Sequence, residues 1–151
     1  MISIVVDCSV LLKAYLPDEE GHQEAQNLMR DYAQGIVTLH APSLITYEII
    51  NACLVASRMA RLQKEKVKEL MTEMLGIEVV KDDIGALKER MFDLAVKYSG
   101  SAYDSAYVAV AEYKHLPFLT ADKKLYNSLK HHFPFVKSIE QYNEIKQSAR
   151  K

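Results

Sequence analysis

The sequence predicts an α/β fold in three layers, with a central parallel sheet of four to five short strands between two layers of helices. Three observations lead there. Short apolar or β-branched runs alternate with stretches of helical period along all 151 residues. The first run, Ile2-Ser3-Ile4-Val5-Val6, is apolar almost throughout, as suits a strand covered on both faces in mid-sheet. Late in the chain, Ser105 to Ala111 carries no charge on any face, which describes a buried helix.

Composition narrows the class. With 49% hydrophobic residues, the chain has material for one sizeable core, and residues 1–151 read as a single domain. The net charge of −1 provides no overall basic field, so any contact with nucleic acid must be local or bridged by a cation. Cys8 and Cys53 stand far apart, without metal-site spacing, and fit a reducing cytoplasm. The apolar start has no basic segment before it and is cut short by Asp7, so it is not a signal peptide. No apolar run approaches the roughly 18 residues of a membrane span.

In order, the first strand ends at Asp7, and a helix is expected over Val10–Leu16, N-capped by Ser9 and stopped by Pro17. The acids Asp18, Glu19 and Glu20 precede a helix from about His22 to Gln34, where they are expected to face solvent and complement its dipole. Gly35 closes that helix, and Ile36–Ala41 is the second strand. A helix from Leu44 to about Met59 carries Glu48 beside its apolar stripe, near its start. Gln63–Leu75 is amphipathic and capped by Gly76; Ile77–Val80 is the third strand, and Asp82-Asp83 caps the helix ending near Gly100. Asp104 stands in the first turn of the charge-free helix. Leu116–Asp122 is a short strand again ending on an acid, followed by a helix from Lys123 to about His131, a strand at Phe135-Val136, and a terminal helix expected to fray. The five histidines show no ligand spacing and are read as surface or structural.

An acid in a strand-to-helix turn is ordinary. Four acids at equivalent places are less so. In a parallel sheet every strand ends at one edge, and the helices that follow begin there. Asp7, Glu48, Asp104 and Asp122 are thus expected to converge on one cleft. Two carboxylates about 4 Å apart repel by roughly 4 kcal/mol at an effective dielectric near 20. Several such pairs rival the roughly 5–15 kcal/mol stability of a domain, so either protons or a cation must neutralise them. An oxygen-only site suits Mg²⁺ or Mn²⁺, and such an ion equips a site for phosphodiester hydrolysis. Lys13, Lys123 and Lys124 lie near the same edge as candidate phosphate contacts.

Asp7-Cys8-Ser9-Val10-Leu11-Leu12-Lys13, Pro42 to Asn51 with Glu48, Ala102 to Ala111 with Asp104, and Leu119 to Leu125 with Asp122 together resemble the four motifs of the PIN-domain family, in particular the toxin ribonucleases of VapBC-type toxin–antitoxin pairs. The likeness spans nearly the whole chain. It implies a Mg²⁺- or Mn²⁺-dependent endoribonuclease, a homodimer, RNA as substrate and a small antitoxin whose tail enters the cleft. It also implies that Ser9 and Thr120 are hydroxyls supporting the acids. Two other readings stay open: a PIN fold kept as a silent RNA-binding or assembly module, and a phosphoacceptor receiver domain, which wants an acid pair after the first strand where Asp7 stands alone.

Overall fold

The computed structural model describes residues 1–16, 20–59 and 62–151. Its centre is a five-stranded sheet built from β1 (Ile2–Val6), β2 (Val37–Pro42), β3 (Val79–Asp82), β4 (Phe118–Thr120) and β5 (Val136–Ser138). The strand order is β3-β2-β1-β4-β5 and every neighbouring pair is parallel. β1 lies in the middle, as its apolar sequence requires: Ile4, Val5 and Val6 are fully buried.

Successive side chains of β1 point to opposite faces. Val5 joins a core formed with α3 (Ile45–Arg58), α4 (Lys64–Leu75), α5 (Lys88–Tyr98), α6 (Ala102–Lys114) and α7 (Lys123–Leu129). Ile4 and Val6 join the core on the other face, with α2 (His22–Ala33) and α8 (Tyr142–Ala149). α1 (Cys8–Tyr15) contributes to both. The result is the three-layer α/β/α arrangement.

From β1 the chain builds outward through β2 to β3, then crosses back to place β4 on the other side of β1. The direction of winding therefore reverses between β1 and β4. Crevices at such reversals, at the carboxyl ends of the strands, are where open α/β sheets bind ligands.

Several local expectations change. α1 begins at Cys8 with Asp7 at its N-cap position, so Ser9 is inside the helix and caps nothing. Pro17, Asp18 and Glu19 fall outside the described residues; Glu20 forms an ion pair with Lys123 Nζ at 2.5 Å, which replaces the dipole role expected of it. β3 runs two residues later than the apolar pattern suggested, because its pairing with β2 extends to Pro42 opposite Asp82. Asp82 is then a buried strand residue paired with Lys114, not a helix cap. Asp83 accepts the Gly85 N–H in a turn instead. The terminal helix is pinned: Tyr142 is fully buried, and its hydroxyl donates to Asp31 Oδ2 at 2.5 Å.

Candidate active site

Asp7 follows β1 directly, and its extended backbone (φ −101°, ψ 175°) turns the chain into α1 without its side chain capping that helix. The carboxylate accepts from two hydroxyls instead. Ser9 Oγ donates to Oδ1, and Thr120 Oγ1 donates to Oδ2 at 2.5 Å. Each hydroxyl in turn accepts a backbone N–H from the turn after β4, Ser9 from Ala121 at 2.9 Å and Thr120 from Asp122 at 3.1 Å. A hydroxyl has one proton to give. With the backbone N–H groups on their lone pairs, Ser9 and Thr120 direct theirs at Asp7. The two strands flanking the crevice are thus tied together through this carboxylate.

Glu48 lies in the first turn of α3, half-buried, and accepts from the hydroxyl of the buried Tyr107 on α6. Asp104 lies in the first turn of α6, whose N-cap is Ser101; Ser101 Oγ accepts the Asp104 N–H at 3.0 Å. Asp122 lies in the turn after β4, two residues past Thr120, and is exposed, capping α7 through Oδ1, which accepts the Leu125 N–H at 3.1 Å. It therefore ends no strand; β4 stops at Thr120.

The electrostatics join these acids in sequence. Burial pushes the Asp7 carboxyl up to about 6, the Ser9 and Thr120 hydroxyls opposing and the charge of Glu48 adding to the rise. Glu48 is raised by burial and by Asp104, with the Tyr107 hydroxyl opposing. Asp104 is raised by burial and by Asp122, with Ser101 opposing. Each acid feels the next. Among the described residues, no basic side chain acts on Asp7, Glu48 or Asp104.

That donor set is oxygen-only and short of positive charge, which fits a hard divalent cation. Among the described residues, no three His, Cys, Asp or Glu side chains form a ready cage for an ion. Mg²⁺ does not require one, since it keeps several waters and takes one or two carboxylates.

The three lysines divide. Lys123 is held by Glu20, Lys124 is exposed on the first turn of α7, and Lys13 is half-buried on α1. Lys13 and Ser9 line an apolar groove of roughly 380 Å³ between α1 and α3, together with Leu12, Leu16, Val55 and Met59. Sequence reading missed Tyr107, the hydroxyl on Glu48. Its signal was present: a tyrosine in a charge-free buried helix needs a partner for its O–H, and Asp104 lies one turn before it.

A family model described as PIN domain matches residues 4–128. A protein named ribonuclease VapC3, from Pyrobaculum aerophilum, is 29% identical over 134 residues, covering 82% of this chain and 92% of its own length. Among solved structures, PAE2754 from Pyrobaculum aerophilum superposes with a TM-score of 0.67 at 20% identity, covering 99% of this chain and 98% of that one. VapBC2 from Rickettsia felis, solved on a DNA fragment from their promoter, gives a TM-score of 0.61 at 10% identity over 91% of this chain and 98% of that one.

Proposed function

This chain belongs to the PIN-domain family, and on that premise we propose that it is a metal-dependent endoribonuclease, the toxin of a toxin–antitoxin pair, acting in the cytoplasm. The observation that carries the reading is the run of carboxylates Asp7, Glu48, Asp104 and Asp122 at the crevice between β1 and β4: burial and the neighbouring acids raise the first three, and among the described residues no cation is paired with those three. Membership of this family sets aside the receiver-domain reading.

Asp7, Glu48, Asp104 and Asp122 are the residues that would hold Mg²⁺ or Mn²⁺. When bound, such an ion supplies activation of a water and neutralisation of charge on the phosphoryl oxygens. Ser9 and Thr120 fix both oxygens of Asp7, so this acid needs no reorganisation when substrate arrives. Lys124 and, once released by Glu20, Lys123 stand beside Asp122 to take backbone phosphates. With a net charge of −1, the chain depends on such local contacts.

The apolar groove supports the antitoxin part of the reading: Ser9, which donates to Asp7, is among its lining residues, so a helix laid in it would lie beside the acids. Apolar side chains left exposed on α3 (Tyr47, Ile50, Leu54) and α5 (Phe92, Val96) support a homodimer. Among the described residues, no helix is long and apolar enough to cross a membrane, and both cysteines are free, as in a reducing compartment.

The test is incubation of total cellular RNA with Mn²⁺ and either wild type or Asp104→Asn. Wild type is expected to cleave and the variant not to. A folded wild type that binds RNA but does not cut it would assign the fold to a silent binding module; equal cleavage by both would remove Asp104 from the site.

A further inference from the structure

Resting on that reading of the cleft, we propose that Tyr107 is its positioning residue: the hydroxyl fixes the Glu48 carboxylate, on α3, at a set separation from Asp104, on α6, so that the two can serve one divalent cation. The four acids are not equally constrained. Asp7 is clamped by two hydroxyls, and Asp104 and Asp122 are short side chains on helix starts. Glu48 has the longest side chain, is half-buried, and rises from a different helix. Its carboxylate is the one that wanders unless held.

Tyr107 is built to hold it. Its side chain is 1% exposed, and its ring stacks on Phe118 of β4 with centroids 5.6 Å apart and planes 13° from parallel. Phe118 and Thr120 are two residues apart, hence on one face of β4, so the same strand supports the tyrosine ring and donates to Asp7. Tyr107 is also three residues after Asp104, on the same side of α6. One rigid helix therefore carries Asp104 and, through the phenol, sets the place of Glu48. A phenylalanine would fill this apolar site as well; the hydroxyl is explained by its partner. The phenol O–H donates to Oε1 of the carboxylate, and a single O–H occupies only one of its two oxygens. Metal ligands are oriented by such outer partners, whose removal commonly lowers affinity or activity 10–100-fold.

The experiment titrates Mn²⁺ into the purified full chain without RNA, reading free Mn²⁺ by electron paramagnetic resonance, and measures RNA cleavage in parallel. Tyr107→Phe keeps the ring and its stack. It should weaken Mn²⁺ binding by roughly 10–100-fold and lower kcat over the same range, with KM for RNA little changed. Tyr142→Phe removes a buried hydroxyl from Asp31, outside the cleft, and should leave Mn²⁺ affinity unchanged. Glu48→Asp retracts the carboxylate from the phenol, so adding Tyr107→Phe to it should cost little more.

Wild-type Mn²⁺ affinity in Tyr107→Phe, with wild type itself binding and cleaving, would overturn the positioning role and leave the nuclease reading intact. A full further loss in the double variant would also overturn it, by showing that the phenol acts elsewhere. A wild type that takes up no Mn²⁺ would overturn both. Should Tyr107→Phe not fold, Glu48→Asp alone decides: affinity equal to wild type contradicts the proposal, and a loss of tenfold or more supports it.

Discussion

Asp7 and Asp31 are both nearly fully buried, at 7% and 6% exposure, and both accept hydrogen bonds from buried hydroxyls, yet their charges are settled in opposite ways. Asp31 Oδ2 also meets Lys146 Nζ at 2.8 Å. Burial would raise its carboxyl, but Lys146 and Tyr142 outweigh burial and hold it below the usual range. Asp82 also has a cation beside it: Lys114 pairs with one oxygen, and His40 Nδ1 lies 3.3 Å from the other. Among the described residues, Asp7 has hydroxyls but no cation, and the charge of Glu48 reaches it. The paired acids staple elements together: Asp31 joins α2 to α8, and Asp82 joins β3 to α6. Among the described residues, the acid at the sheet's crevice has no such cation beside it, and the proposed cation site rests on that contrast.

The difference is sharpest in activity. Asp7→Asn and Asp104→Asn should each lower cleavage by roughly a thousandfold or more, about 4 kcal/mol of transition-state stabilisation. Asp31→Asn should leave cleavage per folded molecule unchanged. A rate assay on matched folded fractions checks both, and wild-type cleavage by Asp7→Asn would erase the distinction.

Stability should show the reverse order. Removing the charge of Asp31 at pH 7 leaves Lys146 without its partner and should cost about 1.5–3 kcal/mol in urea unfolding. Asp7→Asn, without metal, should cost far less. The pH dependence carries opposite signs. A carboxyl raised to about 6 in the folded state binds its proton more tightly there than in the unfolded chain. Its stabilisation is complete below the unfolded value near 3.9 and is lost as pH rises through about 6, at most roughly 3 kcal/mol for Asp7. Asp31, held low, contributes above the unfolded value and loses that contribution as pH falls. Metal-free unfolding from pH 4 to 7 should therefore lose the share of its falling component that Asp7 supplies in Asp7→Asn, leaving that of Glu48 and Asp104, and keep the whole of it in Asp31→Asn.

How far this contrast was legible in the sequence depends on range. β1 and α6 are readable because long apolar runs have one solution each, a strand covered on both faces and a buried helix. The four acids follow from them, as positions at strand ends and helix starts. Partners were not readable. Asp82 looked like a cap because its local pattern resembles one; its true neighbour, Lys114, is 32 residues away in sequence. β3 slid by two residues because pairing with β2 outweighed an apolar pattern that an edge strand needs least. Ser9 suits an N-cap by residue type, yet helix α1 starts before it and its hydroxyl serves Asp7. Tyr107 reads as core until Glu48, 59 residues earlier, is placed against it.

The smallest effect concerns the rim. Lys123 is exposed and held by the exposed Glu20, and such a pair is easily exchanged for phosphate. Replacing Lys123 and Lys124 with Ala should flatten the log–log salt dependence of single-stranded RNA binding by roughly 0.7 per lost contact, with Mn²⁺ affinity nearly intact. An unchanged slope would place the RNA path elsewhere, and a collapse of Mn²⁺ affinity would move these lysines from the rim into the acid cluster.

The most direct test of the contrast is the melting temperature at pH 7 with and without Mn²⁺, for wild type, Asp7→Asn and Asp31→Asn. Ion at a hundredfold excess over Kd stabilises the folded state by about 2.7 kcal/mol, a rise of roughly 5–10 °C for a chain of this size. Wild type and Asp31→Asn should both show that rise, the second from a lower starting point, and Asp7→Asn should show little or none. No rise in wild type, or an equal rise in Asp7→Asn, would contradict the claim that these unpaired acids await a cation.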